Sequence, residues 1–165
     1  MPYRIIDIAD LKISNRPGDI LVTYSLGSCV GVAVYDPVVR IGGMIHCMLP
    51  LSKVDRNKAQ ERPAMFVDTG MQLMLSQLFE SGVRKARLKI AVAGGAHILN
   101  DDNLFKIGER NFTVLRKILW KNSMLMNVQD VGGDISRTIR LHVGTGRFTV
   151  KSQGTEVHYE LPQKD

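Results

Sequence analysis

The stretch Leu26-Gly27-Ser28-Cys29-Val30-Gly31-Val32-Ala33-Val34-Tyr35-Asp36-Pro37, continued by Ile41-Gly42-Gly43-Met44-Ile45-His46-Cys47-Met48-Leu49-Pro50, sets both the fold and the chemistry of this chain. Val30 to Tyr35 is rich in β-branched residues and reads as a strand. Asp36-Pro37 reads as a turn, because proline presets φ and has no N–H to give a central ladder. Ile41 to Leu49 reads as the returning strand. A cysteine behind a small Gly-Ser turn, with a histidine one short hairpin away, is what a thiol nucleophile and its base require. The thiolate is the reactive form, and a neighbouring imidazole raises its population.

Two hairpin registers bring the pair together. A turn about the Pro37–Val38 bond sets Cys29 directly opposite His46. A loop over Pro37 to Arg40 sets Gly31 opposite His46 and makes Cys29 a diagonal neighbour on the same face. The separations are then about 5 Å or about 7–8 Å. A slip of one residue would put the two side chains on opposite faces. Cys47 points away from His46 in a regular strand, which makes it the weaker nucleophile candidate.

An imidazole base needs a third group to orient it. Thr23, on the strand Ile20-Leu21-Val22-Thr23-Tyr24-Ser25, lies six residues before Cys29 and keeps its parity if the strand is not bulged at Gly27. Ser25 shares that parity and competes. The Gly27-Ser28-Cys29 turn is the candidate for aiming backbone N–H groups at an oxyanion. The plainer alternatives are a buried cysteine acting as a small hydrophobe and a histidine with a structural role.

Outward from this hairpin, Met1 to Ser14 contains an apolar stretch that reads as a strand, and Asn15-Arg16-Pro17-Gly18 is a turn. Pro50 to Arg62 is polar and reads as a loop near the mouth of the site. A first helix is expected from Pro63 to Ser81, with Val67, Met71, Met74, Leu75 and Leu78 as its apolar stripe and Gly82 ending it. Leu88 to Ala93 is a strand feeding the Gly94-Gly95 turn. A second helix runs from Glu109 to Lys121, with Val114, Leu115, Ile118 and Leu119 inward. Strands follow near Leu125 to Val131, Thr138 to Val143, Arg147 to Lys151 and Glu156 to Leu161. Strands outnumber helices and several are consecutive, which predicts α+β with antiparallel or mixed sheets.

The chain has 165 residues, 44% hydrophobic and 23% charged, which suits one soluble domain over residues 1–165. No apolar run approaches the roughly 20 residues that span a bilayer, so no membrane insertion is expected. Met1-Pro2-Tyr3-Arg4-Ile5 lacks a signal-peptide pattern, and two cysteines make no disulfide framework. A cytoplasmic location follows as the expectation.

The net charge is +6, with basic clusters at Lys53 to Lys58 and Arg84 to Lys89. An acidic protein partner, nucleic acid or a merely solvated surface would each suit it, but no nucleic-acid motif is present and no nucleic-acid partner is expected. His97, His142 and His158 come with no C-x-x-C or H-x-x-x-H spacing, so no metal is expected. Gly94-Gly95 and Gly132-Gly133 have no P-loop lysine or dinucleotide pattern beside them, so no cofactor is expected. Asp130 and Asp134 suit turns or caps better than a catalytic pair.

Thr23 to Val30, Tyr35-Asp36 and Ile41 to Pro50 together resemble the chemoreceptor glutamine deamidase family, CheD. The resemblance continues in order through Phe66-Val67-Asp68-Thr69, Ala93-Gly94-Gly95-Ala96, Ile107-Gly108-Glu109-Arg110-Asn111, and Asp130-Val131-Gly132-Gly133 with Arg137. It implies a three-layer α/β/β sandwich, like the catalytic domain of the cytotoxic necrotizing factor toxins. It implies Cys29 as nucleophile, His46 as base and acid, and Thr23 as the orienting group. The implied reaction is hydrolysis of glutamine side-chain amides on the cytoplasmic domains of chemoreceptors. It also implies a CheC-type phosphatase as a partner, with a non-catalytic adaptor role as the alternative. Two departures stand out: His97 replaces the family's common Asn, and Tyr24-Ser25 replaces its more usual Gly or Leu.

Overall fold

The computed structural model describes residues 2–98 and 106–161. Its strands are β1 (Tyr3–Ile5), β2 (Asp10–Ser14), β3 (Ile20–Leu26), β4 (Val30–Asp36), β5 (Ile41–Cys47), β6 (Lys89–Gly94), β7 (Val128–Val131), β8 (Arg137–His142), β9 (Arg147–Ser152) and β10 (Thr155–Glu160). Its α-helices are α1 (Arg56–Glu61), α2 (Val67–Glu80) and α3 (Ile107–Lys121).

The strands form two five-stranded sheets, ordered β1-β3-β8-β9-β10 and β2-β5-β4-β6-β7. Both sheets are mixed, with one parallel pair each at an edge, β1 with β3 and β6 with β7. Alternation along β4 and β5 explains why the sheets stack. Val30, Val32, Val34, Ile45 and Cys47 face the helices and bury against Val67, Met71, Met74, Leu78, Leu115 and Leu119. Ala33, Tyr35 and Met44 face the other way and pack with Leu21, Leu26, Ile139, Leu141 and Phe148 of the first sheet. The layers are therefore helix, sheet, sheet, the α/β/β sandwich that the family resemblance implies.

Polar ties cross the layer between the sheets. Tyr35 Oη donates to the Val143 carbonyl at 2.7 Å. Arg137 of β8, nearly buried, donates from Nε to Asp130 of β7 at 2.8 Å. Its Nη1 also reaches the Gly132 carbonyl at 2.9 Å and the Gly94 carbonyl at 3.4 Å. Asp130 thus belongs to an ion pair across the sandwich rather than to a pair with Asp134.

Several boundaries differ from the sequence expectation. The N-terminal stretch splits into β1 and β2, one for each sheet, because the chain crosses over the sandwich at Ile6 to Ala9. Pro50 to Arg62 is not all loop: Ser52–Val54 is a 3-10 turn, and α1 is capped by Asp55, which accepts from Lys58 N at 3.0 Å. The first long helix begins at Val67, because Pro63–Met65 is a separate 3-10 turn that ends at an extended Phe66. It ends as expected, with Gly82 at φ +107°. The second long helix starts two residues earlier than expected, at Ile107.

The Tyr35 tie lies far from the cysteine loop, so it tests the sandwich alone. Tyr35→Phe leaves the Val143 carbonyl without this buried donor and should lower stability by about 1 kcal/mol, read from urea denaturation midpoints.

Candidate functional site

The hairpin adopts the second of the two registers. Asp36 pairs with Ile41 across a Pro37 to Arg40 loop, Gly31 faces His46, and Val30 faces Cys47. Cys29 immediately precedes β4, diagonal to His46. Its partly buried side chain packs against the cluster between the sheets, the side to which His46 also turns. Cys47 lies on the helix face and is fully buried, and burial pushes its thiol pKa far up. The two cysteines are thereby distinguished by strand alternation alone.

Thr23 meets His46, but by another route than shared parity on one strand. Thr23 belongs to the first sheet and His46 to the second. The strand is bulged between Thr23 and Leu26, and Ser25 takes φ +57° and lies exposed. The parity that would have made Ser25 a competitor is lost there. Thr23 reaches His46 across the gap between the sheets, with Oγ1 2.6 Å from Nδ1. Gly31, beside His46 in the ladder, permits this approach. A Cβ there would come within 2.8 Å of both Ile139 Cδ1 and Leu26 Cδ1 from the facing sheet.

The hydrogen-bond direction follows from a count of protons. Thr23 Oγ1 also lies 2.7 Å from the Ile6 carbonyl, which can only accept. The single hydroxyl proton goes to Ile6, so Oγ1 accepts from His46 Nδ1–H. The neutral imidazole is then the Nδ1–H tautomer, and its lone pair sits on Nε2. Among the described residues Nε2 has no hydrogen-bond partner, although it is buried. Burial lowers the His46 pKa to about 4, against a smaller upward pull from Asp7. At neutral pH the ring is an unprotonated base.

Main-chain carbonyls hold the cysteine loop. Gly95 N donates to the Cys29 carbonyl at 2.8 Å and Ala96 N to the Gly27 carbonyl at 2.9 Å. Asn111 Nδ2 donates to the Ser28 carbonyl at 2.9 Å. Gly94, at φ +103°, admits no side chain, since a Cβ there would overlap the Cys29 carbonyl oxygen. Gly27 and Ser28 are thus fixed as a turn through their carbonyls. His97 is exposed, and its N–H donates to the Gly133 carbonyl at 2.8 Å. Two contributors escaped the sequence reading, Ile6 and Asn111. A backbone acceptor such as Ile6 has no side-chain signature. Asn111 had one, as a polar residue in the inward stripe Gly108, Asn111, Leu115, Leu119.

A thiol, an imidazole of fixed tautomer and an orienting hydroxyl can together carry acyl transfer through a thioester. The family described as CheD chemotactic sensory transduction matches residues 48–152. A protein named "Probable chemoreceptor glutamine deamidase CheD 1" from Syntrophus aciditrophicus is 49% identical, covering 91% of this chain and 94% of its own. "Probable chemoreceptor glutamine deamidase CheD" of Solibacter usitatus is 43% identical over 99% of this chain and 98% of its own. Its namesake in Syntrophotalea carbinolica is 39% identical over 91% and 94%. The chain belongs to the CheD family. Among solved structures, the Bacillus licheniformis hypothetical protein YfiH aligns with a TM-score of 0.44 at 16% identity, covering 74% of this chain and 49% of that one. Among the described residues no helix is long and apolar enough to cross a membrane.

The depressed His46 pKa has a measurable consequence. The unfolded chain binds a proton at this residue near pH 6.5, the folded protein only near pH 4. Folding therefore weakens as pH falls through that window, by up to roughly 3 kcal/mol from this group. Urea midpoints at pH 7 and pH 4.5 should show a smaller drop for His46→Gln than for the parent. A second measurement separates the thiols. Native protein should take up one iodoacetamide, at Cys29, and denatured protein two.

Proposed function

We propose that this protein hydrolyses glutamine side-chain amides on the cytoplasmic domains of chemoreceptors, giving glutamate and ammonia, with Cys29, His46 and Thr23 as its catalytic machinery. The observation that carries the reading is the Thr23 hydroxyl bound at once to Ile6 and His46, since it leaves Nε2 as the basic nitrogen on the side of the sheet where Cys29 packs. The family membership and the relatives' names supply the substrate class.

In this reading His46 Nε2 takes the Cys29 proton, and the sulfur attacks the amide carbonyl carbon. Thr23 continues to accept the Nδ1–H and so stabilises the imidazolium that forms. N–H groups of the Gly27-Ser28-Cys29 turn receive the oxyanion of the tetrahedral intermediate. The C–N bond breaks as His46 returns its proton to the departing nitrogen, which leaves as ammonia. Water then gives a proton to His46 and its oxygen to the thioester carbonyl. Collapse releases the carboxylate and the thiol. The net charge of +6 suits an acidic partner surface, and a CheC-type phosphatase is the second partner in this reading.

The test is mass spectrometry of a chemoreceptor cytoplasmic fragment incubated with the protein and its variants. Glutamine-to-glutamate conversion by the parent is expected to vanish in Cys29→Ala and to fall at least about 100-fold in His46→Ala. Thr23→Val should lose about one order of magnitude or more, with Thr23→Ser retaining most activity because it keeps the hydroxyl. No conversion by the parent, with receptor binding intact in Cys29→Ala, would replace the enzyme by the adaptor reading.

A further inference from the structure

We infer that Asn111 of α3 is a positioning residue that sets the separation of Cys29 and His46; the inference rests on the catalytic reading above. The ladder between β4 and β5 ends at the pair Val30 and Cys47. Cys29 lies one step beyond it, at the open end of the paired strands. The Asn111 amide spans that open end. Its Nδ2 donates to the Ser28 carbonyl at 2.9 Å, on the residue before the nucleophile, and to the Met48 carbonyl at 3.0 Å, two residues after His46. One planar amide nitrogen therefore holds both strand ends.

The surroundings leave Asn111 little freedom. It is fully buried, at 0% exposure. Gly108, three residues earlier on the same helix face, lets α3 press on the neighbouring turn, because a Cβ there would overlap the Ala96 carbonyl oxygen. The Gly95 of that turn donates to the Cys29 carbonyl. The helix thus braces the cysteine loop both directly and through residues 95 and 96. The position lies on the apolar stripe continued by Leu115 and Leu119, where a leucine would satisfy packing alone. A buried amide there gives two carbonyls their donor, and its own Oδ1 has no partner among the described residues. The arrangement serves strand-end geometry rather than burial.

A diagonal pair is sensitive to such geometry, since loosening by about 1 Å suppresses proton transfer from sulfur to imidazole. Asn111→Leu keeps the branching at Cγ, with a larger side chain, and removes both N–H donors. The test follows the rate of Cys29 alkylation by iodoacetamide against pH, resolved by peptide mass spectrometry, and needs no receptor. The parent and His46→Ala define the two reference curves. At pH 7 the Asn111→Leu alkylation rate should fall several-fold toward that of His46→Ala, while circular dichroism shows a folded protein. If leucine prevents folding, Asn111→Ala, which lets water reach both carbonyls, provides the same comparison. Asn111 variants that fold and superimpose on the parent, where His46→Ala does not, would overturn the positioning role alone. A His46→Ala curve identical to the parent would overturn the cysteine–histidine reading and the inference with it.

Discussion

One hydroxyl proton organises the centre of this molecule. Thr23 has a single proton and two neighbours that compete for its oxygen, the Ile6 carbonyl and the His46 ring. Because a carbonyl can only accept, the proton has one place to go and the histidine tautomer is decided. The contact with His46 spans the gap between the two sheets, and the side chains of this row must be small enough to admit it. Gly31 faces His46 in one direction and Ala93 in the other, and Ala33 and Ala91 form the next row. These small residues leave room for Leu26, Ile139 and Leu141 of the facing sheet. The packing of the sandwich and the protonation of the base are therefore one problem with one solution.

Much of this was legible in the sequence, for reasons that follow from periodicity. Strand alternation separated Cys29 from Cys47, and Asp36-Pro37 with the returning glycines located the hairpin. The helical stripe from Val67 to Leu78 is buried as its spacing requires. The route from Thr23 to His46 was not legible. Parity along one strand pointed to Thr23, yet Thr23 and the strand that follows Cys29 lie in different sheets, and the bulge at Tyr24-Ser25 breaks the parity between them. Ser25 enters left-handed space without a glycine to announce it. The split of the N-terminal stretch was equally silent, since a three-residue edge strand carries too few side chains to show a period.

The loop that bears Cys29 is held through its main chain. Its three successive carbonyls, from Gly27, Ser28 and Cys29, each accept a hydrogen bond from a different donor. Those donors lie on the turn after β6 and on α3, which Arg137 and Gly108 in turn bring close. The main chain of the loop thus carries much of the constraint on it.

The order of the strands in the first sheet also governs when the site can exist. β3, which carries Thr23, lies between β1 and β8, and β8 is reached only after residue 136. A chain still being synthesised has its cysteine, its histidine and its threonine within the first third of its length. It has no second layer to press the threonine against the ring. Such non-local closure makes for slow folding, and domains complete themselves only when their distant strands have emerged. The hydroxyl that orients the ring and the burial that lowers its proton affinity thus arrive in one event, the closing of the sandwich.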